Sequence, residues 1–312
     1  MYIRTNRPSS ASGLRSALKA EKPLVVPGAF DPFSALMAEN AGFKAIYLSG
    51  AAVTGHLAMP DIGLITMQEM AEEARRITAV THLPLIVDAD TGYGEALNVM
   101  RAAKEFSGLG AAAIQIEDQL SPKRCGHLPG KQLIGVDSML EKIAAAREVV
   151  APDGPLIIAR TDARGVSGMD EAIDRGRAYI RAGADILFPE GLKDAEEFLE
   201  YRRKVEGRLL ANMTEFGVTK YIRVKEFGRI GVDVIIFPVT AFRAAARAVQ
   251  LAYLALRKEG TQQGILSDLM PREEFYRIIG YADYEGVDLK LGRTGGTGTA
   301  AGRPSTERRG HT

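Results

Sequence analysis

The sequence predicts an α/β fold, a (β/α)8 TIM-type barrel with extra C-terminal helices. Three observations carry that expectation. Short apolar runs recur eight times along the 312 residues, each closes on a glycine or polar turn, and a helical pattern follows each one. Continuous apolar runs mark strands buried on both faces, as in a parallel sheet. Eight strand–helix units in series then close into a barrel. A doubly wound open sheet is the competing architecture for the same alternation.

Taken in order, residues 12–20 read as a short helix leading into the first run, Leu24–Val26. The other runs are Ala45–Leu48, Leu85–Val87, Ala113–Ile116, Leu156–Ile158, Ile186–Phe188, Leu209–Ala211 and Val234–Phe237. Between them, Thr66 and Glu69 form a capping box, and Met70, Ala74 and Ile77 make a stripe opposite Glu72, Glu73, Arg75 and Arg76. Asp137 is placed to cap a helix running through Val150, and Met169–Ala182 follows Gly168 and ends at Gly183. Beyond the eighth run come a long helix, Ala241–Lys258, and a second one opened by Pro271 at Arg272–Tyr276. The expected organisation is one barrel domain over 1–290, C-terminal helices included. A tail over 291–312, poor in apolar residues, is expected to be disordered.

Composition narrows the function classes. A net charge of +1 gives no basis for a nucleic-acid or anionic-membrane partner. A single cysteine excludes an internal disulfide and fits a reducing compartment. No apolar run reaches the roughly 18 residues that span a bilayer. Arg4, Arg7, Arg15 and Lys19, with no acid among the first twenty residues, have some transit-peptide character. A helix from Ser12 accounts for part of the same stretch, and a cytoplasmic protein is expected.

In a barrel the active site lies at the C-terminal ends of the strands. The residues found there are Ser49-Gly50-Ala51 after the second run, Asp88 and Asp90 after the third, and Glu117 and Asp118 after the fourth. Then come Arg160 and Asp162, Glu190, Asn212 and Thr214, and finally Arg243. Asp88, Asp90 and Glu117 form an oxygen-only set that suits Mg²⁺ better than Zn²⁺. One aspartate capping the next helix is the plainer alternative, but three acids so close would repel one another without a cation. Arg160, Arg243 and Arg272 have the guanidinium fork that clamps carboxylates. Of the three, only Arg160 directly follows a buried strand. Ser49 and Gly50 offer a hydroxyl and close backbone approach. His56 and His82 lie away from the strand ends and read as structural. No dinucleotide or phosphate-binding glycine loop is present, and no strand end carries a Schiff-base lysine.

The lone cysteine stands in Ser121-Pro-Lys-Arg-Cys125-Gly-His127. Lys123, Arg124 and His127 would lower a thiol's pKa from its free value of about 8.5. Glycine and proline on both sides make the stretch a loop, where catalytic groups concentrate. Cys125 is then either a working thiol or a packed spectator. A cysteine hydrolase, with Cys125 as nucleophile and His127 as base, is one reading of this loop.

Several of these motifs belong together. They are Tyr47-Leu-Ser-Gly50, Val87-Asp-Ala-Asp90-Thr-Gly-Tyr-Gly94, Ile116-Glu-Asp-Gln119, Lys123-Arg-Cys-Gly-His127, Ala159-Arg-Thr-Asp-Ala163, Leu187-Phe-Pro-Glu190, Ala211-Asn-Met-Thr-Glu-Phe-Gly217 and Ala241-Phe-Arg243. From about Gly13 to Asp288 the chain resembles the isocitrate lyase/phosphoenolpyruvate mutase superfamily. Lys123–His127 places it with the lyases rather than with most phosphonate mutases. The chain is much shorter than typical isocitrate lyases, and Leu187–Glu190 and Asn212–Glu215 replace their tryptophan-bearing and serine/proline-rich segments. Ala51 stands where the family usually has another glycine.

The resemblance implies Mg²⁺-dependent cleavage of 2-methylisocitrate into pyruvate and succinate, the lyase step of the methylcitrate cycle in propionate catabolism. Asp88, Asp90 and Glu117 would hold the ion. Cys125 would protonate the succinate carbanion beside His127, and Tyr47 is a candidate base. Ser49, Gly50, Ala51, Gly126, Arg160, Glu190, Asn212, Thr214, Arg243 and Arg272 would contact a di- or tricarboxylate. Phe188, Ile236 and Pro238 would take the extra methyl group. Isocitrate, a dimethylmalate-like acid and oxaloacetate are the neighbouring substrates. The resemblance also implies a homotetramer exchanging C-terminal helices, and a cysteine loop that is open when empty and closes over substrate.

Overall fold

The computed structural model describes residues 10–294. All eight runs are strands: β1 Leu24–Pro27, β2 Ile46–Leu48, β3 Leu85–Asp88, β4 Ala113–Glu117, β5 Leu156–Thr161, β6 Ile186–Pro189, β7 Arg208–Asn212 and β8 Val234–Phe237. They pair in parallel in the order β1-β8-β7-β6-β5-β4-β3-β2. The ring joins between β1 and β2 through the bridge from Gly28 to Tyr47. There the Ala29 N–H donates to the Tyr47 carbonyl at 2.9 Å. The sheet is a nearly closed barrel, and the open-sheet alternative falls.

Strand alternation divides the core in two. Tyr47 and Ile86 turn inward with Val26, Ile158, Phe188 and Ile236, packed with Leu14 and Leu18 of the N-terminal helix. Their neighbours Ile46, Leu48, Leu85 and Val87 face outward into the layer that holds Met70, Phe106, Ile143, Tyr179 and Phe227. Register sets the rim: Asp88 lies opposite Gln115, Glu117 opposite Arg160, and Arg160 opposite Phe188.

Helix Met67–Val80 has the expected capping box at Thr66 and Glu69, and buries Met70, Ala74 and Ile77. Glu73, expected on its polar face, is buried as well. Helix Val136–Val149 starts two residues earlier than predicted, with Gly135 rather than Asp137 as its cap. Asp137 therefore lies in the first turn, where its charge meets the positive helix end. Gly168 caps Met169–Arg181, and Gly183 follows it with φ +106°, a conformation that only glycine adopts without strain.

The chain divides into two compact units, Met1–Leu269 and Met270–Thr312, whereas the sequence suggested one domain through 290. The first contains the barrel and the 20-residue helix Thr240–Glu259, which has no buried residue. The second contains helices Arg272–Ile279 and Tyr281–Thr294. Helix thus continues through 294, where a disordered tail was expected from 291; residues 295–312, and Arg4 and Arg7 at the other end, lie outside the described residues. Among the described residues, no helix is long and apolar enough to cross a membrane.

Candidate active site

The floor of the site is an acid cluster. β3 ends on Asp88 and β4 on Glu117, and Asp90 lies two residues beyond β3 at φ +46°. That left-handed conformation is strained for a residue with a Cβ. The Asp90 N–H, donating to Asp88 Oδ1 at 3.2 Å, helps to hold it. One carboxylate oxygen from each acid lies within 4.8 Å of the other two. Asp88 is otherwise anchored by the Gly50 N–H at 3.1 Å and by Gln115 Nε2 at 2.8 Å.

The other two acids are poorly compensated. Lys123 Nζ is 2.8 Å from Asp90 Oδ1 and also pairs with Asp61. Asp90 Oδ1 and Glu117 Oε1 are nevertheless buried without a hydrogen-bond partner, so the lysine contact is an ion pair lacking hydrogen-bond geometry. Burial pushes Asp90 up to about 6, against the pull of Lys123. Burial likewise pushes Glu117 well above the carboxylate range, although Arg160 and Lys123 oppose it. Convergent hard oxygens with unpartnered lone pairs and too little positive charge fit a small divalent cation.

The second pole is built on Arg160. It donates to Asp162 twice, Nε at 2.9 Å and Nη2 at 3.2 Å. It also lies 3.4 Å from Glu117 and 3.5 Å from Glu190, with its guanidinium over the Phe188 ring. Glu190 receives Asn212 Nδ2 at 3.1 Å and contacts His127 Nε2 at 3.0 Å. Burial alone would raise Glu190, but Arg160 and His127 outweigh it and hold the carboxyl well below the usual range. The Val218 N–H donates to His127 Nδ1 at 3.1 Å, which assigns the proton to Nε2 in the neutral ring. Both ring nitrogens are thereby occupied.

The cysteine loop is docked across the top. Gln119 grips Arg124 at both its N–H and its carbonyl, each at 2.9 Å. Lys131 Nζ donates to the Gly126 carbonyl and, at 2.8 Å, to Asp162. A Cβ on Gly126 would fall 2.2 Å from Arg160 Nη2 and 2.6 Å from Glu190 Cγ, so only glycine lets the loop approach this far. The cavity beneath is about 60 Å³, room for a few waters.

Comparison with known proteins bears directly on this arrangement. The family model described as phosphoenolpyruvate phosphomutase matches residues 14–257. A 2-methylisocitrate lyase of Aeropyrum pernix is 53% identical over 280 residues, 90% of each chain. The chain belongs to the phosphoenolpyruvate mutase/isocitrate lyase superfamily. Among solved structures of that superfamily, 2,3-dimethylmalate lyase superposes with a TM-score of 0.85 at 35% identity, covering 92% of this chain and 97% of the other. A phosphonopyruvate hydrolase in complex with oxalate and Mg²⁺ superposes with a TM-score of 0.82 at 28% identity, covering 91% and 99%.

Most of the residues that the superfamily resemblance singled out meet in one cavity. Tyr47, Ser49, Ala51, Asp88, Cys125, Gly126, His127, Arg160, Phe188, Glu190, Asn212, Thr214, Ile236 and Pro238 all line it. Gly50 supports Asp88 from behind, and Asp90 and Glu117 lie buried in the cluster. Arg243 does not join them: it is half exposed, 3.6 Å from Glu215 and over the Phe216 ring. It lines an adjoining groove that shares Ala51 and Val239 with the cavity. Arg272 begins the first helix of the second unit.

Two expected roles change. The Tyr47 hydroxyl donates to Gln115, and burial, then the Asp88 charge, pushes its pKa well above that of a free phenol. That is the wrong direction for a base, and Tyr47 stands here as a neutral donor. Lys123, expected to act on the thiol, is engaged with Asp61 and Asp90.

Three residues that sequence reasoning passed over complete the site, Asp61, Gln115 and Lys131, together with Gln119, which entered that reasoning only within a motif and without a role. Gln115 had a visible signal, a lone polar residue inside an apolar strand.

Proposed function

We propose that this chain cleaves 2-methylisocitrate into pyruvate and succinate with Mg²⁺. The observation that carries the proposal is a single cavity lined both by Asp88, from the under-compensated acid cluster, and by the chain's only thiol. Identity of 53% to a 2-methylisocitrate lyase across 90% of both chains supports the substrate. Phe188, Ile236 and Pro238 give that substrate's methyl group an apolar wall.

Asp88, Asp90 and Glu117 would hold the ion, as hard donors suit it. When bound, Mg²⁺ supplies Lewis-acid stabilisation of negative oxygen worth several kcal/mol. The substrate hydroxyl gives its proton to solvent water, which later returns one to the Cys125 thiolate, and the hydroxyl oxygen's electron pair forms the keto group of pyruvate as the adjacent C–C bond breaks. The released pair delocalises into the neighbouring carboxylate of the succinate fragment. Cys125 then delivers its thiol proton to that carbon and completes succinate.

Glu190 stays ionised and acts by orienting Arg160, Asn212 and His127 toward the developing charge. Asn212 Oδ1, buried and unpartnered, is an acceptor left for substrate. His127, with both nitrogens occupied, joins the loop to the β7 rim rather than serving as a base. Admission of a tricarboxylate requires the docked loop to lift, and Arg243 at the mouth is placed to meet the substrate there.

The test follows pyruvate release from 2-methylisocitrate with Mg²⁺, with EDTA and with isocitrate as controls. No pyruvate, or pyruvate indifferent to EDTA, overturns the proposal. A cysteine hydrolase would ignore the chelator and leave an acyl-enzyme.

The same reading includes a homotetramer. Helix Thr240–Glu259 exposes Val249, Leu251, Tyr253, Leu254 and Leu256, an apolar load that self-association would cover. Light scattering on the purified chain tests it, and a monomer would remove it.

A further inference from the structure

We infer that Lys131 is a positioning residue, the latch that holds the cysteine loop shut and ties its closure to Arg160. The lysine closes the loop's far end and reaches back to the carbonyl of Gly126, the residue beside Cys125. Its ammonium also donates to Asp162 Oδ1 at 2.8 Å, with the lysine side chain 5% exposed and the aspartate 0%. Asp162 is the same carboxylate that Arg160 grips through Nε and Nη2. One buried carboxylate therefore anchors both the guanidinium in the cavity and the strut that sets the loop's height.

The geometry leaves the strut little freedom. Gly126 already sits where a single added carbon would strike Arg160 and Glu190. Lys131 Nζ is in turn backed by Gly165, whose added Cβ would meet it at 3.2 Å. Charge-assisted hydrogen bonds from a buried ammonium are strong, and their loss leaves two acceptors unsatisfied. Gln119 would still hold Arg124 and the His127 ring would still meet Glu190 and Val218, so without Lys131 the stretch between them, Cys125 and Gly126, loses the strut on the Gly126 carbonyl. The inference extends the proposed lyase reading, and only its turnover readout rests on that reading.

The test uses the chain's only cysteine as a reporter. Alkylation of Cys125 by iodoacetamide is timed in the folded wild type, in Lys131→Met and in Lys131→Arg, with circular dichroism confirming the fold. Loss of the latch is expected to speed alkylation of Lys131→Met by about tenfold or more, and to lower kcat for 2-methylisocitrate more than it raises KM. Lys131→Arg, which keeps a cationic donor, is expected to move both rates back toward wild type. Equal alkylation rates in wild type and Lys131→Met overturn the latch, whatever happens to kcat. If wild type itself does not turn over 2-methylisocitrate, the lyase reading fails while alkylation still decides the latch. Should Lys131→Met not fold, Lys131→Gln, which releases Asp162 while keeping a neutral donor, is read the same way.

Discussion

Glu117 and Glu190 end neighbouring regions of one rim, flank the same arginine, and are each 1% exposed. Their carboxyl groups are nevertheless driven in opposite directions. Burial dominates at Glu117 and raises it, whereas Arg160, His127 and Asn212 outweigh burial at Glu190 and lower it. The difference lies in partners, not depth. Glu190 has its complement within the chain; Glu117, Asp88 and Asp90 are an incomplete set that a cation would complete. The site is thus assembled from one self-sufficient pole and one that needs a ligand to settle.

The largest effect should come from a change that spares both poles and removes the thiol above them. Cys125→Ser is expected to lower pyruvate release by about 10²- to 10⁴-fold, the usual contribution of a positioned proton donor. Its gain in melting temperature on adding Mg²⁺ should match that of wild type. Near-normal turnover would take Cys125 out of the chemistry.

Next in size is a paired test of the poles. In metal-free protein at pH 7, Glu190→Gln removes the charge that compensates buried Arg160, and breaking such a buried pair costs about 3–5 kcal/mol. Glu117→Gln removes a charge that the fold disfavours, so it is expected to stabilise metal-free protein by about 1 kcal/mol while abolishing the Mg²⁺ response. Denaturant unfolding of the two variants measures both signs. Shifts in the same direction would erase the contrast between the poles.

A third test titrates the incomplete pole. Asp90 has its folded pKa raised to about 6 from an ordinary 3.8, so between those values the folded state binds more protons than the unfolded. Its contribution to stability is complete below the ordinary value and is lost as pH rises through about 6. Metal-free protein should therefore lose about 2 kcal/mol across that window and level off above it. Mg²⁺ should recover the loss above pH 6 and do little near pH 4, where it competes with the proton. Melting curves against pH, with and without Mg²⁺, report both. A stability rising across the same window would contradict the assigned burial.

The contrast also explains what the sequence could disclose. The eight strands and the acids at their ends were legible because a run buried on both faces must be continuously apolar, and a rim must be polar. Partners distant in sequence were not. Nothing near Lys123 announces Asp61, which lies 62 positions away, and nothing near Lys131 announces Asp162, 31 positions on. The thiol's neighbours misled for the same reason. Lys123 and His127 look like cations placed on Cys125, but three-dimensional partners engage one with Asp61 and Asp90 and the other with Glu190 and Val218. Arg243 shows the limit in reverse: its side chain follows Glu215 and Phe216 into the adjoining groove, an orientation that no local pattern encodes.

The smallest effect probes the apolar wall that neither pole controls. Ile236 is buried, opposite Asn212 in register, and lines the cavity beside Pro238. Ile236→Val deletes one carbon, which costs about 1 kcal/mol of stability wherever the residue packs in a core. If its outer atoms also meet the substrate's methyl group, the preference for 2-methylisocitrate over isocitrate should fall by up to about tenfold, since one carbon in such a pocket is worth about 1–3 kcal/mol. Core packing alone lowers the melting temperature and leaves the ratio of kcat/KM values untouched. A wall against substrate lowers both. The ratio, measured with both acids on the same preparation, thus locates the methyl group independently of the metal and the thiol.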